Sequence, residues 1–379
     1  MQFKDVIGQE EVKRKLILSV QENRVPHAQL FLGPEGNGKL PLALAYAQYI
    51  LCPHRTATDS CGVCPSCQKI SKLTHPDLHF VVPTTTTKSV KSNPESDLFM
   101  SEWRDYVLQK EGYVDASSWY EFLEVENKQG YISVRDAATL LRKLSFKAYE
   151  GEYKIAIIWM AEKMRVDTAN KLLKLLEEPP EKTLFIMIAE DQEELLATIR
   201  SRTSLVKVPR IEQNAMQTAL VQRLGCTPQA ASDASLVSEG NWIKACQNVK
   251  DAEDQKYYFR TFQQWMRYCF TAANRMNELI DFSNNIKAIG RERQKQLLDY
   301  GLGIVRNTLL FNNNLAQLVM LPEEEKKFNA GFAPFVNRAN LIQIADLLEE
   351  ASRQIERNGY APLIFLDCSF KMAKLLRMK

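Results

Sequence analysis

Behind the short apolar run Leu30-Phe31-Leu32 comes the loop Gly33-Pro34-Glu35-Gly36-Asn37-Gly38-Lys39, which leads into a helix-forming stretch. Strand, glycine turn, lysine and helix at this spacing are the parts of a phosphate-binding loop. Its backbone N–H groups curl around phosphate oxygens, and its lysine adds charge. The next residue should be Ser or Thr, whose hydroxyl holds Mg²⁺ against the β- and γ-phosphates. Leu40 stands there instead and cannot bind magnesium. The chain is thus built like a nucleotide hydrolase without a part that hydrolysis needs, which points to a pseudo-enzyme or a non-catalytic subunit.

Further buried-strand candidates are Phe80-Val81-Val82, Ile155 to Trp159, Leu184 to Ile188 and Leu205 to Val208, separated by helical patterns. Apolar strands alternating with helices predict a parallel α/β sheet covered on both faces. Beyond Pro209 the strand signals stop. Short helices are expected from about Ile211 to Val249. From Asp254 the pattern is long amphipathic helices, with Leu341, Ile344, Leu348 and Ile355 along one stripe.

The 379 residues, 45% of them apolar, can fill roughly two or three globular domains. With 49 basic and 46 acidic side chains the net charge is only +3, so no long-range field marks a nucleic-acid binder. No charged-then-apolar leader follows Met1, and no run approaches the roughly 18 apolar residues of a membrane span, so a cytoplasmic protein is expected.

Cys52, Cys61, Cys64 and Cys67 carry the strongest local signal, C-x8-C-x2-C-x2-C. Four thiolates suit tetrahedral Zn²⁺, and Cys61-Gly62-Val63-Cys64 has the form of a zinc knuckle, where glycine relieves crowding beside the metal. An iron–sulfur run would place its fourth cysteine three residues further on, followed by proline; Ser71 is there instead. Cys226, Cys246, Cys269 and Cys368 are isolated and read as small core residues. His27 and His75 read as structural rather than as ligands.

An active ATPase would end the strand Ile155–Trp159 in acidic residues that hold Mg²⁺ and polarise water. This one ends in Trp159-Met160. Glu162, just beyond, reads as a solvated carboxylate at a helix start. The stretch from Pro83 to Gly130, with its Thr84–Thr87 run and the aromatics Trp103, Tyr106, Trp119, Tyr120 and Phe122, reads as an insertion. It is expected to be a surface loop with a small helical hairpin, or else a partner-docking element offering exposed aromatics.

Asn170-Lys171-Leu172-Leu173-Lys174-Leu175-Leu176-Glu177-Glu178-Pro179-Pro180, followed by Leu195-Leu196-Ala197-Thr198-Ile199-Arg200-Ser201-Arg202-Thr203, resembles bacterial sliding-clamp-loader subunits of the AAA+ class. Phe3-Lys4-Asp5-Val6-Ile7-Gly8-Gln9 is similar to their adenine-pocket signature, and Thr74-His75-Pro76-Asp77 resembles them too. The likeness covers residues 1 to about 250, and the helical remainder by length and character only.

This resemblance implies a degenerate nucleotide site at Val6, Ile7, Gly33, Gly36, Gly38 and Lys39. The γ-phosphate-sensing threonine aligns with Ala189, and the lid arginine with Ile243, beside Lys244. Ser201-Arg202-Thr203 is similar to the family's Ser-Arg-Cys element, so Arg202 would be an arginine finger acting in trans; Thr203 departs from the pattern. The implied architecture is an AAA+ α/β domain over 1–208 with a zinc module (52–67) and an insertion (84–130), a helical lid over 209–250, and an all-α collar over 251–379. The implied partners are the motor (gamma/tau) subunits and the delta subunit in a five-membered ring, the sliding clamp, and primed DNA through that complex. No membrane partner and no ATPase activity of the chain alone are expected. An active replication or repair ATPase with atypical ligands, and a zinc-dependent DNA-binding adaptor, stay open as alternatives.

Overall fold

Five strands form one wholly parallel sheet: β1 (Ala28–Leu32), β2 (Leu78–Val81), β3 (Lys154–Trp159), β4 (Thr183–Ala189) and β5 (Ser204–Lys207), in the order β2-β3-β4-β1-β5. This is a P-loop NTPase-like arrangement, with the glycine loop leaving the end of β1 beside β4 and β5. The computed structural model describes residues 1–125, 128–272, 276–313, 323–337 and 339–378. It falls into two compact units, Met1–Val249 and Lys250–Lys379.

The strands alternate as a two-sided sheet must. Phe31, Ile155, Ile157, Leu184 and Ile186 face one core. Leu30, Ala156, Ile158, Phe185 and Met187 face the other. The first core is built around α2 (Lys39–Leu51), which is buried on every side and correspondingly apolar, and receives α1 (Glu10–Gln21). α3 (Pro65–Ser71) follows. α4 (Met100–Gln109) and α5 (Ala116–Phe122) come next, then α6 (Val134–Ser145), which opens with a Ser133/Asp136 capping box. α6 and α7 (Val166–Glu177) cover the second face, and Pro179 and Pro180 follow α7. Leu172, Leu175 and Leu176 of α7 are buried, and Leu173 only partly.

Two expectations need correction. β5 is not a buried strand: it pairs only with β1 and leaves Leu205 44% exposed, because it is the sheet edge. The insertion is not a surface loop, nor are its main aromatics exposed. Trp103, Tyr106 and Trp119 are fully buried in the α2-side core, where Trp103 meets Trp159 at 5.0 Å between ring centroids and Trp119 at 5.3 Å. The inserted helices thus close over the sheet at the end where β3 carries a tryptophan. Residues 126 and 127 of the 84–130 stretch lie outside the described residues.

The short α8 (Ala197–Arg200) leads into β5, and past β5 come α9 (Gln213–Leu224), α10 (Pro228–Ser238) and the 30-residue α11 (Trp242–Thr271). The second unit continues with α12 (Met276–Asn285), α13 (Arg291–Asn312), α14 (Glu323–Phe332), α15 (Leu341–Glu356) and α16 (Ala361–Leu375) around a separate core. Ile344, Leu348, Ala351 and Ile355 form the buried stripe of α15. Among the described residues no helix is long and apolar enough to cross a membrane.

Candidate functional site

The glycine loop keeps its backbone form. Gly36 (φ 69°) and Gly38 (φ 89°) adopt left-handed conformations that side chains disfavour. At Gly33 a Cβ would stand 2.1 Å from the Val208 carbonyl oxygen. Lys39 begins α2, but its Nζ donates to the loop's own carbonyls, Gly33 O at 2.7 Å and Pro34 O at 2.6 Å, and to Asn37 Oδ1 at 3.3 Å. Burial pulls its pKa down to about 8 against the opposing pull of Glu190, Glu162 and Glu35. Leu40 is buried in the core, as are Val6 and Ile7. The Val6 carbonyl accepts from Lys13 Nζ at 2.8 Å. The loop is fastened from the other side as well: Trp242 N–H donates to Gly36 O at 2.9 Å, and Asn241 Nδ2 to Glu35 Oε1 at 3.2 Å.

No carboxylate replaces the missing pair at the end of β3, where Trp159 and Met160 are both buried. Glu162 departs from its expected place in solvent. It is half-buried, its Oε1 accepts weakly from Glu190 N–H at 3.4 Å, and its Oε2 has no protein partner among the described residues. Burial first, and the neighbouring Glu190 charge after it, push its pKa up to about 7. The site therefore holds a buried lysine and two carboxyls, Glu162 and Glu190, without the hydroxyl and strand-end acids that would order magnesium. Ala189, at the end of β4, offers no hydroxyl either.

Cys52, Cys61, Cys64 and Cys67 do converge, their sulfurs all within 4.8 Å of one another. Cys52 and Cys64 lie 4.0 Å apart and Cys61 and Cys67 3.9 Å apart, too far for disulfides. Tetrahedral coordination at a metal–sulfur distance of ~2.3 Å would place the sulfurs ~3.8 Å apart. Backbone N–H groups of Cys61, Cys64 and Cys67 each point at the preceding cluster sulfur at 3.4 Å, as stabilised thiolates require, and Gly62 turns at φ 75°. Bonds from the Val63 and Cys64 amides hold the Cys61 thiol down to about 6. The four residues can hold a metal ion such as zinc. Neither histidine joins them: His27 Nε2 meets Leu176 O at 2.9 Å, and His75 Nδ1 accepts from Asp77 N–H at 3.1 Å.

Arg202 sits in the turn between α8 and β5, with its side chain 34% exposed. Its Nε and Nη2 both reach Glu177 Oε1, at 2.9 and 2.5 Å, and Nη1 donates to Thr198 O at 3.0 Å. The fold thus joins the end of α7 to the Ser-Arg-Thr element, which the sequence presents as separate motifs. Arg200 pairs instead with Glu193 at 3.1 Å. Sequence reasoning missed Tyr113, whose hydroxyl accepts from the Ile7 N–H at 2.9 Å inside the glycine-loop site. No periodicity or motif ties a tyrosine of the insertion to that loop.

The profile of the family described as DNA polymerase III, delta subunit, matches residues 8–212, more than half of the chain. Over 215 residues the chain is 28% identical to the DNA polymerase III subunit delta′ of Bacillus subtilis, covering 57% of this chain and 52% of that protein. It is 30% identical over 176 residues to subunit delta′ of Pseudomonas aeruginosa (46% and 41%), and 28% identical over 200 residues to subunit tau/gamma of Haemophilus influenzae (53% and 22%). The chain thus spans about half or less of the length of these curated relatives. The matched stretch carries the glycine loop, the cysteine cluster and Arg202 together, and the chain belongs to the DNA polymerase III delta subunit family, as a delta′-like member.

Proposed function

We propose that this chain is a non-hydrolysing, stator-type subunit of a clamp loader, part of an ATP-driven assembly that opens a sliding clamp and places it on primed DNA. One observation carries the reading: at the two positions where magnesium would be held, the chain buries Leu40 and packs Trp159 on Trp103. The loss is therefore built into the core and is not a surface accident. Residues 209–250 would act as the lid and 251–379 as a collar that joins motor (gamma/tau) and delta subunits in a five-membered ring. Zinc in the cysteine cluster would hold the 52–67 segment in shape without taking part in the reaction. Arg202, half-exposed and steered by Glu177, would reach a neighbouring subunit's ATP, where a planar guanidinium can grip phosphate oxygens as the transition state forms.

Two measurements test this. The purified chain should hydrolyse no ATP above background with Mg²⁺, and turnover of roughly 1 s⁻¹ or more would sink the reading. Mixed with motor and delta subunits, it should be required for clamp loading. Loading at full rate without it would remove the stator role.

A further inference from the structure

Tyr113 lies in a part of the insertion that reaches the glycine loop. α4 ends in a Schellman-type turn, with Gly112 N–H bonded to Val107 O at 2.8 Å and Glu111 N–H to Leu108 O at 3.2 Å. Glu111 (φ 49°) and Gly112 (φ 76°) are both left-handed, so the chain reverses sharply and delivers Tyr113 to the start of α2. Gly112 lies against Pro41, and a Cβ on Gly38 would come within 3.3 Å of the Tyr113 ring. The phenol oxygen meets the Ile7 N–H in a buried bond, and the ring stands 5.7 Å from that of Trp242. The Arg223 guanidinium lies 5.8 Å from the Tyr113 ring centre and 5.6 Å from that of Trp242, and is itself held by Glu111 at 2.7 Å and by the Asp5 carbonyl.

The apolar cluster that packs α9, α10 and the start of α11 together contains Ile211, Met216, Ala219, Leu220 and Trp242. Among the described residues, its only buried members outside 211–249 are Ile7 and Tyr113. The flat ring accepts a hydrogen bond from the Ile7 N–H, touches the glycine loop at Gly38, and has the Arg223 guanidinium and the Trp242 ring beside it, so it fills the space between the loop and the α9–α11 helices. We infer that Tyr113 is a built-in ligand: it occupies the base seat of the degenerate nucleotide site and holds the α9–α11 helices against the sheet domain with no nucleotide present. This does not depend on clamp loading, and either reading can fail alone.

The test uses the full chain, with adenosine and magnesium-free ATP as probes, read by calorimetry and by amide hydrogen exchange. Wild type should bind neither. Tyr113→Ala vacates a ring-sized cavity and should bind adenosine at least about tenfold more tightly than wild type, as apolar cavities take up flat rings. Its Ile7 amide and the α9–α10 amides should exchange faster, and adenosine should slow them again. Adenosine binding equally to wild type and variant, or a folded Tyr113→Ala that binds neither probe, would overturn the inference. If Tyr113→Ala does not fold, Tyr113→Phe decides. It keeps the ring, so adenosine stays excluded, but the Ile7 amide loses its acceptor and should exchange about tenfold faster. An unchanged Ile7 rate would overturn the inference as well.

Discussion

The glycine loop and the cysteine knuckle are separated in sequence by one helix, α2, and they differ in what they hold. The loop retains its backbone and Lys39, with Leu40 where a magnesium-binding hydroxyl is expected. Gly33 is required because any Cβ would strike Val208, and Gly36 and Gly38 because of their left-handed backbone, whether or not a phosphate ever binds. Leu40 and Trp159 carry no such constraint, and each has turned into the core. The knuckle is the reverse case, because its four sulfurs form a small cluster of their own. Among the described residues no other apolar side chain joins that cluster, and the turn is otherwise held by polar bonds such as those from Gln2 and Gln48 to Ser60. A glycine pattern thus reports a backbone path, whereas a cysteine pattern reports the chemistry itself.

The comparison breaks most plainly if the knuckle is only a scaffold too. Structural zinc in small modules binds with an apparent free energy of about 10 kcal/mol or more, most of which is local folding. Elemental analysis should find one zinc per chain. Cys67→Ser, or a strong chelator, should remove it and raise hydrogen exchange across residues 52–73. Full protection of that segment in metal-free protein would mean that the sulfurs are dispensable.

A second test asks whether any chemistry outlives the dismantled site. In a reconstituted ring, Arg202→Ala should lower ATP hydrolysis at the facing motor subunit. An arginine finger acting alone contributes on the order of 10³ to 10⁵ in rate, or about 4 to 7 kcal/mol of barrier, and a ring that shares the work will show less. Arg202→Lys should rescue poorly. Arg200→Ala, which breaks the Glu193 pair and a bond to the Gln192 carbonyl, is the control. A normal rate in Arg202→Ala with a depressed rate in Arg200→Ala would move the finger.

These two sites were not equally legible in sequence. Strand positions came within two residues, because buried parallel strands are continuous apolar runs such as Ile155 to Trp159. The cysteine cluster came whole, since all four ligands lie within sixteen residues of chain. The insertion was misjudged because the destination of an aromatic is set by what it packs on: Trp103 and Trp119 look like interface residues until Trp159 and α2 are placed beside them. Tyr113 and Glu162 were missed or misplaced for the same reason. Their partners, Ile7 and Glu190, are 106 and 28 residues away.

The tryptophan cluster sharpens the claim that the end of β3, where a hydrolase would carry its acids, is core here. Trp103→Ala removes a fully buried side chain and should cost about 3 to 5 kcal/mol by denaturant unfolding. Trp103→Phe, which keeps an aromatic against Trp159, should cost clearly less. Equal and small losses in both would mean that the inserted helices pack loosely and that Trp159 is not anchored by them.

The smallest effect probes what electrostatics remain. Glu162 titrates near 7 in the folded chain because burial disfavours its charge and Glu190 repels it, with Lys163 pulling the other way. Its unfolded value is close to 4.5. Between those values the folded chain binds more protons than the unfolded one, so stability from this group is full below about pH 4.5, falls as pH rises to about 7, and is flat beyond. The shift is worth up to about 3 kcal/mol. Glu162→Gln keeps the shape and removes the charge, so it should match wild type near pH 4.5 and exceed it increasingly up to pH 7 to 8 in urea titrations. Lys39 opposes part of this: with Glu162 gone it loses one of the carboxylates that hold its pKa up, which makes its own burial costlier at neutral pH. A stability difference that does not change across the window would mean that Glu162 is solvated after all, as its sequence position suggests, and that the emptied site keeps no buried acid.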